Sequence, residues 1–411
     1  MADFEFLHAA DLHLDSPLRG LDRDAPTERI RNATRSALAN LVDFALERHV
    51  AFILLAGDLY DGDWRDWHTG QFLAQQLARL TRANIEVVAI SGNHDAERVL
   101  TRKLTLPGML RADRPDTIRL QGVPVAVHGQ SFATPSVTEN LAANYPQPVD
   151  GSFNIGLLHT ACGTVENDRY APCGIADLAR RGYDYWALGH VHTRAILSKA
   201  PWIVFPGNLQ GRHINEPGSK GATLVTVERN AVKNVEHHGL DVLRWLHLSV
   251  DVNGADGIEA VAARVRTLLG AAVLEAEDRM LVVRLTLRGS CPAHGDLARS
   301  TGTTLEQMRA AAAEIAGPDE LWIEDVRLAT TPALDLAAMR EQPGAVGALI
   351  KALDRPVEID AGLRTFIADQ LRRADDALDA DHPARAIAAG NLPPEIIEQA
   401  RAMLLAELAR R

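Results

Sequence analysis

The chain has 411 residues, too many for one ordinary core, so two or three domains are expected. Its 46% hydrophobic and 24% charged residues are those of a soluble globular protein, and no apolar run is long enough to cross a bilayer. A net charge of −11 is not the basic field of a protein that grips nucleic acid unaided, and Cys162, Cys173 and Cys291 offer neither a disulfide framework nor zinc-finger spacing.

The acidic start of the chain enters a strand at once, over Phe4 to Ala10, so no signal peptide is expected and the expected compartment is the cytoplasm. Three- and four-residue steps of Ile30, Ala33, Ala37, Leu38, Leu41, Val42, Ala45 and Leu46 predict one helix over Thr27 to His49. A second strand follows at Ala51 to Ala56, a helix at Trp67 to Leu80 and a third strand at Glu86 to Ile90. Later strands are expected at Pro124 to His128, Asn154 to Leu158, Tyr185 to Leu188, Trp202 to Phe205 and Thr223 to Glu228. This alternation, closing on strands without helices, suggests a layered α/β sandwich over residues 1–240. Near Leu240 the pattern restarts as β-α-β-α-β, which reads as a small α+β accessory domain over 241–330. Residues 331–411 read as a helical tail rich in Ala and Leu, broken near Pro343, Pro356, Pro383 and Pro393-Pro394.

Five polar clusters each end a hydrophobic run in the first half: Asp11-Leu12-His13, Gly57-Asp58, Gly92-Asn93-His94-Asp95, His159, and Gly189-His190-Val191-His192. Past strand ends is where layered α/β folds place their sites. Asp11 and His13 are two apart, and in extended backbone such residues point the same way, toward one ion. Asp58 has two carboxylate oxygens and is the natural bridge between two ions, while Asn93 adds a neutral oxygen. His159, His190 and His192 add nitrogen, and a mixed N/O set without thiolate suits Mn²⁺, Fe or Zn²⁺ in a catalytic site. Two such ions can hold a hydroxide and phosphate oxygens together and neutralise the charge that develops on phosphorus. His94, beside a ligand but not needed as one, is the candidate proton donor to the leaving oxygen. Each cluster alone has an ordinary explanation as a turn, a surface loop or a core histidine. Their joint occurrence, each after an apolar run, points instead to a dinuclear hydrolase of phosphate esters.

In these motifs the chain resembles the calcineurin-like metallophosphoesterase superfamily. Within it the chain is similar to the SbcD-type DNA repair exonucleases and their YhaO-like branch. The stretches Gly57 to Trp64, Tyr170 to Cys173, Gly182 to His190 and Pro206 to His213 carry that likeness, which covers about the first 240 residues. The resemblance implies a four-layer α/β/β/α sandwich around two divalent metals, Mn²⁺ by preference, with Fe, Zn or Mg as alternatives. It implies that Asp11, His13, Asp58 and His192 hold one metal, that Asp58, Asn93, His159 and His190 hold the other, and that His94 is the catalytic acid. Some members place a second catalytic histidine three residues after the bridging Asp; here that position is Asp61. The resemblance further implies cutting of DNA from ends, nicking of single strands, and partnership with a coiled-coil SbcC-like ATPase. On that reading, 241–330 cap the site and the tail docks the ATPase, with homodimerisation left open and no membrane partner.

Two rival functions remain: a phosphodiesterase for a small molecule such as a cyclic nucleotide, and a DNA-end-binding scaffold with latent activity. Among other residues, His128 reads as structural, and Arg212 and His213 as either phosphate contacts or an exposed turn. Trp64 and Trp67 could stack on bases but fit packing better, and Cys162 and Cys173 flank His159 without the further thiolates of a zinc site.

Overall fold

The computed structural model describes residues 3–21, 25, 27–61, 67–96, 108–163 and 169–333, with scattered positions between 340 and 369. In chain order its first elements are β1 (Phe4–Ala9), α1 (Thr27–Arg31), α2 (Ala33–Arg48), β2 (Phe52–Ala56), α3 (Trp67–Arg82), β3 (Glu86–Ile90) and α4 (Asn93–Ala96). There follow β4 (Asp116–Arg119), β5 (Val125–Gly129), β6 (Phe153–His159), α5 (Ile175–Ala179), β7 (Tyr185–Gly189), β8 (Ala195–Lys199), β9 (Trp202–Phe205), β10 (Gly221–Glu228) and β11 (Ala231–Gly239). The last are β12 (Leu243–Asp251), α6 (Ile258–Leu274), β13 (Met280–Cys291), α7 (His294–Arg299), α8 (Thr301–Ala313) and β14 (Leu321–Pro332).

Two sheets form the centre of the first compact unit, which comprises Met1–His247, Ala272–Arg284 and Ala316–Glu324. One has the order β11-β10-β1-β2-β3 and the other β4-β5-β6-β7-β9-β8. β1, β2 and β3 run parallel, as do β5, β6, β7 and β9, so their carboxyl ends share a direction within each sheet. Strands buried on both faces read as continuous apolar runs, which is why Phe-Ile-Leu-Leu-Ala of β2 is wholly buried. Between the sheets lie Phe6, Phe52, Leu54, Val127, Phe153, Ile155, Tyr185 and Val204. On the outer face of the first sheet, Leu7, Ile53 and Leu55 meet Leu38 and Leu41 of α2 and Leu73 and Leu77 of α3. On the outer face of the second, Trp186, Leu188 and Ile203 meet Leu178 of α5 and the turn at Leu141 and Ala142. The layers are therefore helix, sheet, sheet, helix, the α/β/β/α sandwich expected from the sequence.

The second unit is built from Leu248–Ala271, Leu285–Ile315 and what is described beyond Asp325. A three-stranded sheet has the order β12-β13-β14. α6 buries Val261, Ala262, Val265 and Leu269, one face of a helix, and α8 is capped by the Ser300 hydroxyl accepting from Thr303 N at 3.2 Å. Most of the expected helical tail, including the amphipathic stretch 396–408, lies outside the described residues.

The single helix expected over 27–49 is two helices, broken at Asn32. Their burial partners differ. Ile30 of α1 packs with Trp245, Leu243 and Met280, and Arg29 donates to the carbonyls of Asp319 (2.8 Å) and Asp278 (3.1 Å), whereas α2 lies on the first sheet. Three strands that the apolar pattern did not reveal, β4, β8 and β11, each end a sheet and are only part buried. His128 is structural, buried with its ring nitrogens 2.8 Å from Thr117 Oγ1 and 3.0 Å from Asn154 Oδ1.

Candidate metal centre

All five polar clusters follow or end the parallel strands: β1 leads to Asp11 and His13, β2 to Asp58, β3 to Asn93 and His94, β6 ends on His159, and β7 leads to His190 and His192. The fold thus gathers all eight residues singled out from the sequence. Three overlapping trios, Asp11/His13/His192, His13/Asp58/His94 and Asp58/His159/His190, each offer ligand atoms within 4.8 Å of one another, and among the described residues none of these trios includes a cysteine.

The route by which Asp11 and His13 converge differs from the expected extended alternation. Both lie in the left-handed region, at φ 52° and 42°, as do Asp58 at 51° and His190 at 101°. Such backbone costs a non-glycine residue about 1–3 kcal/mol and clusters at functional sites. It is held by backbone bonds between loops: Asp11 N donates to Gly57 O, His13 N to Asp58 O (both 3.0 Å) and Leu14 N to Leu59 O (3.1 Å). Gly57 has φ 89°, and a Cβ there would stand 2.5 Å from His159 Nδ1, so both the turn and the close approach require glycine.

The ring orientations are fixed from behind. His159 is fully buried and donates from Nδ1 to Ala56 O at 2.9 Å, which leaves its Nε2 lone pair facing Asn93 Oδ1 at 3.0 Å and Asp58 Oδ2 at 3.5 Å. His192 donates from Nδ1 to Glu216 Oε1 at 2.7 Å, so its Nε2 lone pair faces His13 Nε2 at 3.2 Å and Asp11 Oδ1 at 3.9 Å. Asp58 Oδ2 also stands 3.8 Å from His13 Nε2, so one oxygen lies between the two histidine groups. Acceptors that face acceptors in a buried site are unfavourable by themselves. They become favourable around cations, and a His braced by a carboxylate or carbonyl is the usual support of a metal ligand. The donor set therefore fits two divalent ions.

The electrostatics agree. Burial pushes the Asp58 carboxyl up to about 6, and burial and Asp58 push Asp95 up to about 7 and Asp11 well above the carboxylate range. Burial also drives His159 down to about 3 and His13 well below the imidazole range, leaving neutral rings. Asp95 is not among the trios. Its carboxylate accepts from Leu59 N (3.1 Å), Tyr60 N (2.9 Å) and Gly92 N (2.9 Å), and so fixes the loops that carry Asp58 and Asn93.

The His94 side chain is 34% exposed, against 23% for His192, and its Nδ1 is 3.2 Å from Asp61 Oδ1. Burial raises the Asp61 carboxyl, but His13, His94 and Ser16 outweigh it and hold the group well below the usual range. Asp61 thus braces one ring nitrogen of a histidine that keeps contact with solvent, as suits a proton donor. Sequence reasoning missed Asp61 as this brace, and missed Glu216 and the anchoring role of Asp95. Glu216 follows His192 by 24 positions on another loop, and no local spacing marks it. Trp64 lies outside the described residues.

A calcineurin-like phosphoesterase model matches residues 4–194, and a model of the middle domain of the metallophosphoesterase YhaO matches 245–331. The uncharacterised metallophosphoesterase YhaO of Bacillus subtilis is 35% identical over 338 residues, covering 80% of this chain and 82% of that protein. The chain belongs to the calcineurin-like metallophosphoesterases. This metallophosphoesterase is also similar to a DNA double-strand break repair protein Mre11 of Methanopyrus kandleri, 26% identical over 289 residues, with 63% of this chain and 62% of the relative covered. A third likeness is to the SbcD component of the SbcCD nuclease of Rhodobacter capsulatus, 36% identical over 91 residues, 22% of this chain and 21% of that protein. Among the described residues no helix is long and apolar enough to cross a membrane.

Proposed function

We propose that this metallophosphoesterase is a DNA exo- and endonuclease that uses two divalent ions, by preference Mn²⁺, and works in DNA repair beside a coiled-coil SbcC-like ATPase. The observation that carries the reading is the convergence of Asp11, His13, Asp58, Asn93, His159, His190 and His192 on one cluster of ligand atoms, beside a part-exposed His94. The likeness to Mre11 and SbcD proteins supports DNA as the substrate. Ions held there would activate water and neutralise charge on the phosphoryl group.

On this reading Asp11, His13, Asp58 and His192 hold one ion, and Asp58, Asn93, His159 and His190 the other. Asp58 is shared, and its Oδ1 is kept in place by His94 N at 3.0 Å. Glu216 and the Ala56 carbonyl hold His192 and His159 in the tautomers that leave Nε2 free to bind. His94 delivers the proton to the departing 3′ or 5′ oxygen, braced through Nδ1 by Asp61. Residues 241–330 serve as a cap over the substrate and 331–411 as the docking region for the ATPase, in a cytoplasmic complex.

The test is hydrolysis by the purified chain, alone and with the candidate ATPase, of linear single- and double-stranded DNA, an aryl phosphodiester and a cyclic nucleotide. Mn²⁺, Fe²⁺, Zn²⁺ and Mg²⁺ are compared, with Asp58→Ala and His94→Ala as controls. DNA cutting lost in both variants supports the nuclease. Turnover of the small diesters alone, with the ATPase present, moves the chain to a small-molecule phosphodiesterase. Binding of DNA ends without turnover of any diester moves it to a scaffold.

A further inference from the structure

The charge of Arg212 acts on Asp11, Asp58 and Glu216 together. Its side chain is 15% exposed. The loop that carries it is braced throughout: Asn208 Nδ2 donates to Gln210 O (2.8 Å) and Glu216 Oε2 (2.9 Å), Gln210 Nε2 to Leu243 O (2.6 Å) and Trp245 Nε1 to Gly211 O (3.0 Å). Arg212 N itself donates to Glu216 Oε2 at 2.8 Å. The guanidinium, in contrast, is loosely engaged. Nη2 is 3.3 Å from His192 Nδ1 and 3.4 Å from Glu216 Oε1, Nη1 is 3.8 Å from Asp61 Oδ2, and Nε is buried without a hydrogen-bond partner. Elsewhere in this chain arginines close on carboxylates, as Arg284 does on Glu324 (2.5 and 2.8 Å) and Arg279 on Asp241 (2.9 Å). A rigid backbone carrying a fork of donors with weak partners, beside buried carboxylates, is built to receive a further anion.

Its place on the rim identifies that anion. Asp61 is shared, with Oδ1 toward His94 and Oδ2 toward Arg212. The proton donor and the guanidinium thus stand on either side of one carboxylate at the edge of the ligand set. We propose that Arg212 is a substrate-binding residue, clamping a non-bridging oxygen of the scissile phosphate while His94 faces the leaving oxygen. The inference rests on the phosphoester reading of the site but not on DNA as its substrate. The alternative is that Arg212 only braces Glu216 behind His192.

The experiment measures binding of inorganic phosphate by the full chain loaded with Mn²⁺, by equilibrium dialysis with radiolabelled phosphate, and manganese content by atomic absorption. Wild type is compared with Arg212→Ala, Arg212→Lys and Glu216→Gln. A clamp predicts that Arg212→Ala keeps its manganese and weakens phosphate binding about 10- to 100-fold, the scale of one charge-assisted hydrogen bond. Arg212→Lys falls between, because lysine keeps the charge and lacks the fork. With a diester that is turned over, the loss falls mainly on KM. Unchanged phosphate affinity in manganese-loaded Arg212→Ala overturns the clamp. So does manganese loss matching Glu216→Gln with phosphate affinity of the loaded fraction unaltered, or a wild type that binds no phosphate. If Arg212→Ala fails to fold, Arg212→Met, which keeps the apolar stem, carries the same readings. Arg212-dependent phosphate binding in a chain that cuts no DNA would keep the clamp and remove the DNA substrate.

Discussion

A single methyl group at position 92 should disable the centre. A Cβ on Gly92 would stand 2.2 Å from Asp58 Oδ1, 2.7 Å from Asp58 N and 2.8 Å from His159 Cε1. Optimal contacts of carbon lie near 3.5 Å, so the carboxylate must retreat by roughly 1 Å. The contact with Asp58 N means that side-chain rotation alone cannot absorb the shift. Gly92 is not among the positive-φ glycines, so the effect is steric and not a backbone preference. Overpacking of this kind costs about 1–3 kcal/mol of stability, and a displacement of about 1 Å in a reacting array costs on the order of 100-fold in rate. Gly92→Ala is therefore expected to lower kcat on an aryl phosphodiester by about two orders of magnitude, with weaker manganese retention and a Tm lower by several degrees. Gly270→Ala is the control: nothing lies within 4 Å of its added carbon, and in the interior of α6 it should stabilise by about 0.5–1 kcal/mol. A Gly92→Ala chain with wild-type kcat and metal affinity would show that the Asp58 position is not set by its neighbours, and the geometric argument for the centre would fail.

Glu216→Gln removes the carboxylate behind His192, 2.7 Å from Nδ1, and should weaken binding of the ion at Asp11, His13 and His192 about 10- to 100-fold in a manganese titration. If His94 is the proton donor, His94→Gln should slow an alkyl diester about 10²- to 10⁴-fold and spare one with a nitrophenolate leaving group; equal losses on both would assign His94 to the ligands instead. His8 is buried between Tyr185 Oη and Leu188 O, each at 3.1 Å, and burial drives its pKa down to about 3. The unfolded chain binds a proton below about pH 6.5 that the folded chain refuses down to about pH 3. Stability should thus fall on acidification through that window by up to about 1.4 kcal/mol per pH unit from this group. Urea titrations of His8→Gln should give a shallower acid slope, and an unchanged slope would mean that His8 does not resist protonation in the fold.

The interior strands were legible because burial on both faces leaves an apolar run in the sequence, as in Phe52 to Ala56 and Phe153 to Leu158. The edge strands β4, β8 and β11 were not, since exposed residues such as Lys199, Lys233 and Glu236 interrupt any pattern. The break at Asn32 was hidden for another reason: the apolar spacing continues through it, and only the tertiary partners of Ile30 and Leu38 differ. At the centre, residue types revealed what could bind but not how they converge. Nothing local marks Glu216 or Asp61 as supports, because the partner of one lies 24 positions away and those of the other on two distant segments, His13 with Ser16 and His94.

The backbone at the centre argues for cations independently of the residue types. Asp11, His13, Asp58 and His190 all take left-handed backbone without being glycine. The turns bring His13 Nε2 to 3.2 Å from His192 Nε2, and His159 Nε2 to 3.0 Å from Asn93 Oδ1, the second a contact in which an acceptor meets an acceptor because His159 Nδ1 donates to Ala56 O. They also bury Asp11 close enough to Asp58 for burial and the second carboxylate to oppose its ionisation. Such strain persists only where the surrounding structure holds it in place. Asp95 spends three backbone hydrogen bonds on fixing the loops that carry Asp58 and Asn93. Strain, buried like charge and opposed lone pairs are each unfavourable, and one change, positive charge placed among them, turns all three to advantage.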